Sequence, residues 1–215
     1  MTDREFDDAK ELWKLTYAHN SIEQVGNTIV FILKNNIRRN HRLFNPLITA
    51  IYTTYGRPFS NNRPVGKLDL ELFSDAQTAF HKRLIQLRDQ FFAHTDVGAN
   101  KSKAHGPLLQ VAYTFRANQA PAEFTNAIQP QRGHLRLLLS YLNSIRPIID
   151  GRRSLKWHRL AAHRPMANGE FILNVYDKTK HLWLTKEEAK RLSIPNATEL
   201  HVVDPPKRRP IKQRK

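Results

Sequence analysis

Phe73, Ala76, Phe80, Leu84, Leu87 and Phe91 follow one another at intervals of 3, 4, 4, 3 and 4 residues. That rhythm lays one unbroken apolar stripe along a helix. It predicts a helix from Asp69 to about Phe92 that must bury the stripe against other helices. No other feature of the chain constrains its fold as strongly.

The same rhythm recurs elsewhere. Phe6, Ala9, Trp13 and Tyr17, then Ile22, Val25, Ile29 and Ile32, predict helix over residues 5–36, as one long helix or as two. Ser21, with Gln24 three residues on, fits the cap of a second helix. Residues 37–44 read as a polar connection. Asn45-Pro46 reads as N-cap and first helical residue of a helix running to about Tyr55, stopped by Gly56 and Pro58. Residues 60–67 and 95–107 are loops by composition. Leu108 to Arg116 reads as a strand. A last long helix runs from about Pro130 to Ile149, and Asp150-Gly151 ends it.

Beyond that point the pattern shortens. Phe171 to Tyr176 and His181 to Leu184 read as strands, Thr185 with Glu188 as the capping box of a short helix, and Leu200 to Val203 as a further strand. The expected organisation is a mainly α protein. It comprises a helical bundle (1–150), a small basic α/β appendage (151–204) and a disordered basic tail (205–215).

Charge narrows the partners. Residues 1–100 carry 13 Lys/Arg against 11 Asp/Glu, net +2, whereas residues 101–215 carry 22 against 8, net +14. An excess so confined points to a polyanion, because Lys and Arg neutralise phosphates and release counterions. The tail, PPKRRPIKQRK, holds six basic residues and three prolines in eleven and reads as an electrostatic arm. In a eukaryote it would also serve as a nuclear import signal.

Several classes drop out. The chain has no cysteine, which excludes a disulfide scaffold, a zinc ribbon, an iron–sulfur site and a cysteine nucleophile. A reducing compartment fits, and the expected location is the cytoplasm. The acidic start, MTDREFDD, is unlike a signal peptide, and no apolar run approaches the roughly 20 residues of a membrane span. P-loop, dinucleotide, GxSxG and HExxH motifs are missing. The ten histidines form no HxH or HxxxH pair beside carboxylates, so neither metal nor cofactor is expected.

One segment carries chemistry. The stripe helix ends on Arg88, Asp89, His94, Thr95 and Asp96. An imidazole removes or returns a proton near neutrality, and a guanidinium grips a phosphate and stabilises charge building on it. RNA brings its own nucleophile, the 2′-hydroxyl. An Arg followed by a His at such spacing occurs three times, at Arg88/His94, Arg152/His158 and Arg153/His158, so context rather than spacing separates them. On a regular helix i and i+6 lie about 120° apart, so Arg88 and His94 share a site only if the helix ends or bends between them.

The run Leu-Arg-Asp-Gln-Phe-Phe-Ala-His-Thr-Asp at 87–96 resembles the Arg-polar-x4-His motif of the HEPN superfamily. The segment Tyr-Thr-Thr-Tyr-Gly-Arg-Pro-Phe at 52–59 is similar to a turn in bacterial relatives of that group. The resemblance covers residues 1–150 and implies an all-α fold and a metal-independent endoribonuclease of toxin or phage-defence type. It further implies a homodimer whose two motifs share one cleft, sometimes restrained by an antitoxin. By that resemblance His94 handles the proton, Arg88 binds the scissile phosphate, and Asp89 orients one of them.

Other residues join as candidates for RNA binding. His81, seven residues before Arg88, shares its helical face. Arg57 either faces the cleft or caps a helix. Arg152, Arg153 and Lys156 supply phosphate-facing charge, and Trp157 either stacks on a base or is buried against the bundle. Lys82 and Arg83 read as a solvated face. A non-catalytic binding module of the same fold is the rival reading. A DNA-binding regulator ranks below both, since no recognition helix and turn stand at the expected spacing.

Overall fold

A computed structural model describes residues 1–89, 111–114, 122–125, 131–166 and 168–192. His94, the predicted strand at 200–203 and the basic tail lie outside them.

The helical periodicity yields four long helices. Helix α1, Asp3–Lys34, is a single element. The Thr2 hydroxyl accepts the Glu5 N–H at 3.2 Å and the Glu5 carboxylate accepts the Thr2 N–H at 2.6 Å, so the first turn is capped reciprocally. Ser21 is a buried residue in mid-helix rather than a cap. The buried face runs Ala9, Leu12, Leu15, Ala18, Ile22, Val25, Ile29 and Ile32. In the first two turns it is rotated from the expected one, and Phe6, Trp13 and Tyr17 are only half-buried.

Helix α2, Phe44–Gly56, begins before Asn45, with Leu43 at its N-cap and no side-chain cap. A 3-10 turn, Arg57–Phe59, follows. Helix α3, Asp75–Leu87, starts six residues later than expected. The Asp69 carboxylate accepts the Glu71 N–H at 3.0 Å, a local turn that competes with helix, and the Ser74–Gln77 capping box fixes the true start. Phe73 therefore joins the core from a loop, as Leu68 does. After Leu87 the chain widens into a π turn at Arg88 and Asp89.

Strands β1, Val111–Thr114, and β2, Ala122–Thr125, pair antiparallel. Helix α4, Arg132–Ala161, passes through Gly151, where the sequence predicts a stop. A mid-helix glycine costs about 1 kcal/mol. The contacts beyond it offset that cost: Leu160 is buried with Ala9 and Leu12, and Lys156 reaches Asp8 at 2.5 Å and Glu11 at 2.6 Å.

Helices α1 and α4 lie antiparallel. Asp8 meets Lys156, His19 Nδ1 meets the Asp150 carboxylate at 2.6 Å, and the Leu33 carbonyl accepts from Arg132 at 3.0 Å. Strands β3, Phe171–Leu173, and β4, Trp183–Thr185, form a second antiparallel pair, each shorter than expected. Asn174 organises their connection. It is fully buried, donates to the Asp177 and His181 carbonyls at 2.8 and 3.0 Å, and accepts the Tyr176 and Asp177 N–H groups at 3.1 Å. Helix α5, Lys186–Arg191, carries the predicted Thr185–Glu188 capping box.

The main core joins α1, α2, α3 and the first half of α4. A second core of Ala9, Leu12, Val65, Leu160, Val175 and Leu182 seats the β3–β4 pair on α1 and α4. The described chain is thus mainly α with two small sheets. None of its described helices is long and apolar enough to cross a membrane, and no cluster of metal-ligating side chains occurs among the described residues.

Candidate functional site

The π turn after α3 delivers Arg88 to the end of α2. Its Nε donates to Asp89 Oδ1 at 2.7 Å and its NH2 meets the same oxygen at 2.5 Å. Its NH1 donates to the Gly56 carbonyl at 3.0 Å and the Ser60 hydroxyl at 2.9 Å. A guanidinium has five N–H groups, so one, on NH2, is left without a described partner. The side chain is 19% exposed.

Gly56 makes this seat possible. A Cβ there would stand 2.3 Å from Arg88 Cδ and 2.4 Å from NH1. Its φ of −74° is ordinary, so it is the close approach, not the backbone, that asks for glycine. The two segments that carry the sequence resemblance, 52–59 and 87–96, therefore meet at Gly56 and Arg88. Arg57 lies at the first position of the intervening turn with its side chain exposed. Its carbonyl accepts from Asn62 at 2.9 Å.

His81 sits beside this seat but inside the core, at 4% exposure. Its Nδ1 hydrogen-bonds the Tyr55 hydroxyl at 2.8 Å, which also bonds Tyr141 OH at 3.0 Å, and Phe59 meets the imidazole edge-on. Burial, with smaller effects from the Arg88 and Lys82 charges, lowers the His81 pKa to about 4. His81 is therefore neutral at pH 7. Burial also raises Tyr55 well above its usual value and Tyr141 to about 12.

A related pair lies nearby on α2 and α4, where Tyr52 OH bonds His134 Nε2 at 3.1 Å. Burial, then the Arg83 charge, lowers His134, whereas burial raises Tyr52 to about 12. Lys82 and Arg83 are exposed, as expected of a solvated face.

Arg152, Arg153, Lys156 and Trp157 all ride on the last third of α4. None of the described Arg88 contacts, with Asp89, Gly56 and Ser60, reaches this group. Arg152 is exposed, and Arg153 lies 3.7 Å from the Asp150 carboxylate. Lys156 is taken up by Asp8 and Glu11. Burial, the largest single influence, pulls its pKa down, but the hydrogen bonds and charges of Asp8 and Glu11 together leave it raised. Its charge is spent inside the fold rather than offered to a phosphate. Trp157 is 48% exposed and meets Trp183 edge-on at 5.8 Å, so it is not buried against the bundle.

Sequence reading misses the residues that seat Arg88. Ser60 stands 28 residues and Gly56 32 residues before it, with no local pattern linking them. Nor does any local pattern link Tyr55 to Tyr141, 86 residues away.

Chemically, the seat fixes one cation, with one N–H lacking a described partner, against the half-exposed Asp89 carboxylate. No family model, curated protein or solved structure matches the chain.

Proposed function

We propose that this chain is a metal-independent endoribonuclease of HEPN type. The observation that carries the reading is the built seat of Arg88: an arginine side chain only 19% exposed, its guanidinium oriented by Asp89, Ser60 and a glycine carbonyl, at the end of the helix whose next residues lead to His94. Orienting a cation before substrate arrives removes reorganisation cost from the reaction.

In this reading RNA supplies the nucleophile. His94 takes the 2′-hydroxyl proton, and O2′ attacks the adjacent phosphorus. The bond from phosphorus to O5′ breaks, and O5′ receives a proton from a second acid, the His94 of a partner protomer in a homodimer. Arg88, held in orientation by Asp89, stabilises the phosphorane charge through its remaining N–H. The products carry a 2′,3′-cyclic phosphate and a 5′-hydroxyl. The exposed cations of the second half, Arg152 among them, recruit the RNA. A toxin or phage-defence role, with an antitoxin partner, belongs to this same reading.

A second reading has its own observation. Four of the five Arg88 N–H groups are already bonded within the chain, as in a tie between α3 and α2. That favours a non-catalytic RNA-binding module. End analysis separates the two: full chain is incubated in EDTA with RNA of mixed sequence. Fragments ending in cyclic phosphate support the nuclease. Intact RNA retained on the protein supports the module.

A further inference from the structure

The chain has three tryptophans, and all three line one hollow of about 530 Å³. Trp13 comes from α1, Trp157 from α4 and Trp183 from β4, with Leu12 and Leu173 completing the apolar surface. Three large rings drawn from three elements onto one cavity differ from scattered surface aromatics. The rings are held in place: Trp13 stacks on Tyr17 at 5.1 Å, and Trp157 and Trp183 stand at 80° to one another.

The polar part of the wall is equally particular. Asp150 and Arg153 stand one helical turn apart on α4, and the carboxylate is oriented by the hydrogen bond to His19. The Trp183 indole N–H is buried and has no acceptor among the described residues. Such a group is costly to leave unpaired and rare in a folded protein.

We infer that this hollow takes a base of single-stranded RNA. A nucleobase has two apolar faces and an edge that mixes donors with acceptors. The tryptophan faces suit the first; the carboxylate and guanidinium suit the second. Charge favours a strand over a neutral ligand. Arg153 lines the hollow, its chain neighbour Arg152 is exposed, and the second half of the chain carries net +14. A second, open hollow of about 870 Å³ shares Trp157 and Trp183 and adds Phe171 and Arg164, which accommodates the next nucleotide.

This inference rests on the RNA-directed reading and specifies how the strand is held away from Arg88. Its test uses the full chain and a labelled single-stranded 2′-O-methyl RNA of about 12 nucleotides, which the proposed reaction cannot cut. Because Trp157 is half-exposed, its replacement leaves the core intact, and circular dichroism checks the fold. Trp157→Ala should weaken binding by about tenfold, while Trp157→Phe retains most of it. An abasic oligomer of equal length should bind all three forms alike and weakly. Unchanged binding by Trp157→Ala, or an abasic oligomer bound as tightly as the RNA, overturns the inference. So does equal competition by polyglutamate of matched charge. Cleavage of unmodified RNA is followed in parallel. Cleavage with Trp157-independent binding overturns the base pocket alone, whereas neither cleavage nor binding overturns it together with the RNA-directed reading.

Discussion

Arg88 spends four N–H groups on three partners, and this makes its neighbours sensitive to small changes. Gly56→Ala puts a methyl 2.3 Å from Arg88 Cδ, so the guanidinium must leave Ser60 and the Gly56 carbonyl. The expected loss is about 1–3 kcal/mol in urea denaturation. In an Arg88→Ala background the same change should cost almost nothing, because the clash is gone. His81 sets a pH dependence. Its pKa falls from 6.5 in the unfolded chain to about 4 in the folded one, so the unfolded state binds the proton more readily between those values. Stability from this group is whole above pH 6.5 and is lost as pH falls toward 4, by at most about 3 kcal/mol. His134 shifts in the same direction and adds to the slope. Urea midpoints at pH 7 and pH 4.5 should differ less for His81→Gln than for the wild type. At this scale the sequence exposes Arg88 and Asp89, which are adjacent and polar at the end of an apolar stripe. It hides Gly56, whose role arises only when residues 32 apart in the chain touch.

Helix α4 is where local signals and packing disagree. Asp150-Gly151 has the look of a helix end, yet the helix continues to Ala161. A stop signal of about 1 kcal/mol yields to Leu160 in a shared core and to Lys156 between two carboxylates. Nothing lies within 4 Å of a Cβ added at Gly151. Gly151→Ala should therefore raise stability by about 0.5–1 kcal/mol, seen as a higher melting temperature. Lys156→Ala should do the reverse, by about 2 kcal/mol, since it leaves Asp8 and Glu11 facing each other in a partly buried place. Helix α3 teaches a similar lesson. Its stripe identifies the helix, but Phe73 belongs to the loop before it, because an apolar residue can reach the core from either side of a cap. The short elements after residue 170 are legible from alternation and the Thr185–Glu188 box. Their connection depends on Asn174, a buried amide that composition gives no reason to single out.

Across the whole molecule, charge that looks uniform in composition is divided by the fold. Lys156, Arg88 and Arg132 are committed to internal partners, while Arg152 stays exposed. The first group ties helices together; the second is free to meet a phosphate backbone. The expected chemistry and the expected recruitment then rest on different residues, the Arg88 seat at the end of α2 and the tryptophan hollow on the last third of α4. The proposed activity rests most directly on His94 and on RNA cleavage without metal. Wild type and His94→Ala, both shown to be folded by circular dichroism, are incubated in EDTA with end-labelled single-stranded RNA. A His94-dependent nuclease yields fragments from the wild type and none above background from the variant. Equal cleavage by both, or intact RNA with a folded wild type, contradicts it.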